Sequence, residues 1–227
     1  MLILGAGSQA QVVADILLAR GDVEIVGFID IGKDVSRVGQ TILGYPVLGF
    51  MGELARLVRD TGTRSGAVAI GDNLIRSELL EQGFIAGLEF PAIIHPSAVI
   101  SAQAVLGPGT VVAAQAVVGT GATIGPGGII NTCASVDHHC VLGRCVHIAV
   151  GAHLPGNVKV GDFTTLGAGS CATPGVSIGK HVRIGAGAAV IRDIPDNCTA
   201  VGVPAIEKQA TATTVISPSA VRTPPSV

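Results

Sequence analysis

Tryptophan is absent from this 227-residue chain, and aromatic residues make up only 3% of it. Such a composition suits an interior too narrow for rings. Charge is scarce and balanced: 14 Lys and Arg face 16 Asp and Glu, a net of −2 with no basic run. Binding to nucleic acid therefore has no electrostatic support. No apolar stretch is long enough to span a bilayer, because glycines and polar residues interrupt every candidate. The opening Met1-Leu2-Ile3-Leu4-Gly5 lacks a basic leader and does not read as a signal peptide. The five cysteines, Cys133, Cys140, Cys145, Cys171 and Cys198, are an odd set without a CxxC pair. They fit a reduced, cytoplasmic protein better than a disulfide framework.

What the chain does have is glycine, 32 residues of it, and a period of six. From Ile94 the sixth residues read Ile94, Ile100, Leu106, Val112, Val118, Ile124, Ile130, Val136, Leu142, Ile148, Leu154, Val160, Leu166, Ala172, Ile178, Ile184 and Val190, and only Ala172 breaks the run of larger aliphatic side chains. Glycine often follows the aliphatic slot, as at Gly107, Gly125 and Gly185, and a small residue often precedes it by two, as at Ala98, Ala116 and Ala134. Neither helix nor ordinary strand has this period, so it is a structural repeat. Six residues supply one short strand and one turn: the aliphatic residue points inward, and glycine or asparagine takes the turn dihedrals. Three units close a triangular coil, and the coils stack as a parallel β-helix about 4.8 Å apart, a prism on the order of 26 Å tall. Cys140 falls on a small inward slot, where a free thiol acts as a compact apolar group. Solenoids serve as enzymes, scaffolds and binders alike, so the repeat alone assigns no function.

The first ninety residues differ in kind. Met1–Leu4 reads as a strand, Gly5-Ala6-Gly7-Ser8-Gln9-Ala10 as a glycine-rich turn into a helix ending near Arg20, and Glu24–Ile29 as a second strand ending at Asp30. This G-x-G-x-x-A opening of a βαβ unit lets backbone amides approach a phosphate at a helix N-terminus. Asp30 either accepts hydrogen bonds from a ribose or base, or is satisfied within its own turn. A third strand, Gly66–Ile70, runs through Gly71-Asp72-Asn73 into a helix around Leu74–Gln82. NAD is the default ligand of such a fingerprint, but this region is half a dinucleotide fold and suits a single nucleotide, such as that of an activated sugar.

The repeat gives each histidine an address. His95 precedes Pro96 at the junction and reads as structural, while His153 and His181 read as solvated residues on exposed turns. His138 follows Asp137, precedes His139, and is a candidate general base. Gly156 comes one coil of 18 residues later, directly over His138, leaving room for a substrate carbonyl and a backbone N–H for its oxyanion. His147 lies half a coil from His138, so the two share a site only across a subunit interface.

Several segments together, Ile129-Ile130-Asn131-Thr132, Val136-Asp137-His138-His139-Cys140, Val146-His147-Ile148, Gly156-Asn157-Val158, Val201-Gly202-Val203-Pro204-Ala205, Phe28-Ile29-Asp30 and Ala69-Ile70-Gly71-Asp72-Asn73-Leu74-Ile75-Arg76, resemble the sugar O/N-acetyltransferases of the sialic acid and bacillosamine type, of the hexapeptide-repeat acyltransferases. The resemblance covers about residues 1–206. It implies a left-handed β-helix, homotrimers, acetyl-CoA as donor, a nucleotide-linked amino sugar as acceptor, and no metal. It further implies His138 as base beside Asp137 and His139, Gly156 as oxyanion donor, and His147, Ala168, Gly185 and Ala186 around acetyl-CoA. Gly7, Ser8, Gln9, Asp30, Gly71, Asp72, Asn73 and Asn131 would hold the nucleotide sugar. Two positions depart from the family: His139 stands where a carboxylate usually follows the catalytic histidine, and Gln9 where the first turn often has histidine.

The expectation is thus an α/β, half-Rossmann unit over 1–92, a left-handed parallel β-helix with a C-terminal cap over 93–206, and a disordered tail over 207–227. The expected reaction is direct acetyl transfer to the amine of a nucleotide-linked deoxysugar. Its rivals are O-acetylation of a sialic-acid-like sugar, a β-helical zinc lyase of the carbonic anhydrase type, a sugar-nucleotide uridylyltransferase and a non-catalytic scaffold. The uridylyltransferase would need a larger N-terminal domain with a lysine-containing phosphate loop. The lyase would need three histidines converging on one metal.

Overall fold

A computed structural model describes residues 1–32 and 35–208. The N-terminal part contains β1 (Leu2–Leu4), α1 (Ser8–Arg20), β2 (Gly27–Asp30), β3 (Thr41–Ile42), β4 (Tyr45–Phe50), α2 (Leu54–Thr61), β5 (Gly66–Val68) and α3 (Asn73–Ile85). Its sheet has the order β3-β4-β2-β1-β5, parallel except for the β3–β4 hairpin. The βαβ opening is as expected, whereas β3, β4 and α2 had no clear signature in the sequence. α1 buries Ala10, Val13, Ala14 and Leu17, the spacing of one helical face, and ends on Gly21 in the left-handed region.

From Ile93 onward the chain forms the expected left-handed parallel β-helix. Its first face stacks strands from Val99–Ile100 to Ala189–Val190, its second from Val105–Leu106 to Ser177–Ile178, and its third from Ile93–Ile94 through Arg183–Ile184. The register advances by one coil without slipping, as in Val117↔Ser135 and His147↔Thr165. The inward aliphatic residues, from Val112 to Val190, form one continuous core.

The turn chemistry follows expectation only in part. The residue with positive φ is the third after the aliphatic slot: glycine takes it at Gly109, Gly121, Gly127, Gly151, Gly169, Gly175 and Gly187 and asparagine at Asn157, as expected, but Gln115, Cys133, His139, Cys145, Phe163 and His181 occupy it as well. Glycine directly after the slot serves another purpose, close approach between coils. A Cβ on Gly107 would lie 2.7 Å from the Pro126 nitrogen, and one on Gly161 2.7 Å from the Gly179 carbonyl carbon.

The two parts meet through the outward side of the third face. Ile93, Val111 and Ile129 are buried there in one cluster with α1. Above them the same column changes to His147, Thr165 and Arg183, so the apolar cover ends where His147 begins. The cap also extends further than expected. Thr199–Val201 continues the third face, and Ile206–Lys208 pairs antiparallel with it, which places Glu207 and Lys208 in the sheet rather than in a tail. The remainder of the expected tail, 209–227, lies outside the described residues.

Candidate active site

His138 sits at the corner between the first and second faces, exposed, one coil below Gly156. A Cβ on Gly156 would overlap the His138 imidazole, as the repeat predicted. Asp137 does not hold that ring: its Oδ1 accepts the main-chain N–H of His138 at 2.7 Å. Equivalent turn amides at Arg144 and Lys180 are likewise capped, by Asp162 at 2.9 Å and Asp196 at 2.8 Å. The Gly156 amide has no such cap among the described residues and points no hydrogen at a protein acceptor. His139, in the left-handed turn slot, stands over Gly121 and presents its ring edge-on to His138, with centroids 5.5 Å apart.

His147 lies on a different flank. On the third face its Nε2 meets Asn131 Nδ2 at 3.3 Å, and burial, with the nearby Arg76 charge, pushes its pKa down to about 4. It is therefore a neutral imidazole at physiological pH. A cavity of about 500 Å³ opens beside it, lined by Gly71, Asp72, Asn73, Thr165 and Arg183 among others. One protomer thus joins the expected nucleotide-sugar loop to the expected cofactor residue, and leaves His138 elsewhere.

Within that loop the roles shift. Asp72 caps α3, its Oδ1 accepting from the Leu74 and Ile75 amides at 2.9 and 3.0 Å. Asn73, expected to hold the nucleotide sugar, is committed to the fold: its Nδ2 donates to Phe163 O and Thr165 Oγ1, and its Oδ1 accepts from Arg76 at 2.7 Å. Asp30 is only partly engaged by its own turn. Its Oδ1 accepts the Gly32 amide at 3.0 Å, so one oxygen is satisfied within the turn, while its buried Oδ2 lies 2.9 Å from the Arg37 guanidinium as an ion pair and accepts no hydrogen bond among the described residues. Gly71 remains open around its α-carbon. Gly7 heads α1 with no side-chain cap, leaving Ser8 exposed and Gln9 half-buried at that helix start. Gly5 is required for close approach, since a Cβ there would lie 2.7 Å from the Ala69 carbonyl oxygen.

Ala168, Gly185 and Ala186 lie on the corner between the third and first faces, where Gly187 N donates to Ala168 O at 2.8 Å. Asn131 belongs to the same corner, lower down. The first face separates this corner from His138. His153, expected on a turn, is instead an outward residue of that face, its Nδ1 within 2.9 Å of Ser135 Oγ. His138, His147 and His153 occupy a corner, the third face and the first face, and among the described residues no three His, Cys, Asp or Glu side chains gather as a metal site.

Two arginines have roles that the sequence did not assign. Arg37 ties Asp30 to the glycine-rich turn by donating to Ala6 O at 2.6 Å. Arg76 is fully buried on the stripe it shares with Leu79, Leu80 and Gly83. Its position on that apolar stripe was the available signal, since an arginine there needs a full set of acceptors.

Comparison with known proteins fits this geometry. Residues 1–82 match the family model described as the PglD N-terminal domain. A solved structure of perosamine N-acetyltransferase from Caulobacter crescentus, a histidine mutant in complex with CoA and GDP-perosamine, is 38% identical, with a TM-score of 0.86 over 91% of this chain and 95% of that one. The acetyltransferase domain of PglB from Neisseria gonorrhoeae, in complex with acetyl coenzyme A, is 38% identical, with a TM-score of 0.84 over 91% and 98% of the two chains. Among curated sequences, UDP-N-acetylbacillosamine N-acetyltransferase of Bacillus subtilis is 36% identical over 102 residues, 45% of each chain. Galactoside O-acetyltransferase of Lactococcus lactis is 46% identical over 59 residues, 28% of its length. The chain spans less than half the length of these two curated relatives.

Proposed function

The chain belongs to the nucleotide-sugar N-acetyltransferases of the hexapeptide family, and on that premise we propose that it moves an acetyl group from acetyl-CoA to the amine of a nucleotide-linked amino sugar. The observation that carries this reading is the pairing of an exposed His138 imidazole with a bare Gly156 whose amide is left open. The neutral amine attacks the thioester carbonyl, and His138 takes the proton that the new C–N bond makes acidic. The Gly156 N–H receives the developing oxyanion, and collapse breaks the C–S bond. The proton on His138 then passes to the departing thiolate, so that amide and free CoA thiol leave with no covalent enzyme intermediate. His147, neutral beside the cavity, is assigned to the acetyl-CoA site with Ala168, Gly185 and Ala186. Gly7, Ser8, Gln9, Asp30, Gly71, Asp72 and Asn131 are assigned to the nucleotide sugar, Asn73 being committed to the fold. With reduced cysteines and this donor, the cytoplasm is the compartment we assign.

His138 and His147 lie on separate flanks of one prism, so the complete site is built between neighbouring chains of a homotrimer. Thiol release from acetyl-CoA, followed against a panel of UDP- and GDP-linked amino sugars, is the direct test. Turnover with an amine-bearing sugar, lost in His138→Ala while the oligomer persists in light scattering, is the expected result. Turnover restricted to hydroxyl acceptors, or full activity in His138→Ala, would overturn the reading. Mixing His138→Ala with His147→Ala protein after subunit exchange should restore part of the activity if sites are shared between chains.

A further inference from the structure

Arg76 holds the two halves of this chain together at one point. Its guanidinium has five N–H groups. Nε donates to Gly127 O at 2.7 Å, Nη1 to Ile70 O at 3.1 Å and Gly71 O at 2.9 Å, and Nη2 to Asn73 Oδ1 at 2.7 Å and Cys145 O at 2.9 Å. Every donor is used. Gly127 and Cys145 belong to successive coils of the prism, whereas Ile70, Gly71 and Asn73 form the loop that lines the cavity. No carboxylate pairs with the buried cation among the described residues. Four main-chain carbonyls and one amide oxygen replace water around it, an arrangement that tolerates little displacement because each lost acceptor strands a buried charged donor. Burial pulls the Arg76 pKa down to about 10, which still leaves it charged at neutral pH.

We propose that Arg76 is a positioning residue for the nucleotide sugar: it fixes the Gly71–Asn73 loop against the prism so that the acceptor amine reaches the acetyl group at a set depth. The proposal rests on the acetyltransferase reading above. Arg76 acts through the loop rather than on the reacting atoms. A second link on the same helix provides the contrast. Arg144 joins α3 to the prism through Ser77 Oγ at 2.7 Å and Glu81 Oε1 at 2.9 Å, but touches none of the loop.

The test compares Arg76→Lys with Arg144→Ala in steady-state kinetics. In parallel, calorimetric affinity for UDP and GDP gives a readout that does not depend on turnover. Arg76→Lys keeps the charge but loses the planar fork. It should raise KM for the nucleotide sugar at least tenfold and weaken nucleotide diphosphate binding, with KM for acetyl-CoA changed less than twofold. Arg144→Ala should leave both KM values within twofold. If Arg76→Lys does not fold, Asn73→Ala removes one acceptor and leaves the guanidinium in place, and a selective rise of several-fold in the same KM is expected. Equal shifts in both KM values, no shift in either, or the same selective shift in Arg144→Ala would overturn the assignment. Failure of the acetyltransferase reading itself would appear separately, as no acetyl transfer by the wild type.

Discussion

The imidazole of His138 occupies the space where a Cβ of Gly156 would stand, one coil above it. Gly156 does not adopt the left-handed backbone that would exclude alanine, so the glycine is needed for space and not for φ. Gly156→Ala is expected to push the ring aside while the prism stays folded. kcat should fall about a hundredfold or more, the range seen when an oxyanion donor or its geometry is lost, while stability should change by less than about 1 kcal/mol. Parallel kinetics and urea denaturation would decide this, and unchanged kcat would remove Gly156 from the mechanism.

His139 stands edge-on to His138 where the family usually places a carboxylate. With Asp137 engaged by the main chain, no acidic side chain among the described residues hydrogen-bonds the His138 imidazole. His139→Glu should bring a negative charge beside that ring and favour its protonated form. The acidic limb of the kcat/KM profile should then move to higher pH by about one unit. A superimposable profile would mean that position 139 does not communicate with the base.

His147 gives the protein a pH dependence of known sign. Its folded pKa of about 4 lies below the usual histidine value because of burial, then Arg76. The unfolded chain therefore binds the proton first, and the stability contributed by a neutral His147 is fully present above about pH 6.5. That contribution declines as pH falls through this window toward 4. His147→Asn should flatten the decline in denaturation measured from pH 7.5 to 4.5. An identical slope in the variant would show that His147 is not buried neutral.

Asp72 closes the first turn of α3 by accepting two amides with one oxygen. Asp72→Ala should cost about 1 kcal/mol of stability, the usual worth of an N-cap. Urea midpoints would measure it. Asp72→Asn, which keeps an acceptor, should recover most of the loss.

Much of the fold was legible because the period of six is a local property. Each coil repeats the last, so a residue's address on the prism follows from counting, and Gly156 above His138 was found that way. The turn chemistry was less legible. Glycine after the aliphatic slot looked like a dihedral requirement, yet the positive φ falls two residues later, at glycines such as Gly109 and Gly121 but also at Gln115, Cys133 and His139. Spacing does not distinguish a glycine needed for φ from one needed for close approach. The site was legible in type but not in use: Asp30 and Asn73 are polar residues in the expected loops, and both are engaged by arginines, Arg37 outside any quoted motif and Arg76 inside one but without a role that spacing could assign.

By itself the sequence determined the prism, its narrow aliphatic interior and the separation of His138 from His147, since all three depend on repeat arithmetic alone. Only the tertiary structure decided where the N-terminal part rests, and with it which polar groups remain free. The third face is apolar through Ile129 and polar from His147 upward, so α1 covers the lower coils and stops there. Arg76 then joins loop to prism, because a buried guanidinium can be satisfied only where five acceptors from distant segments converge. That convergence is a property of three dimensions.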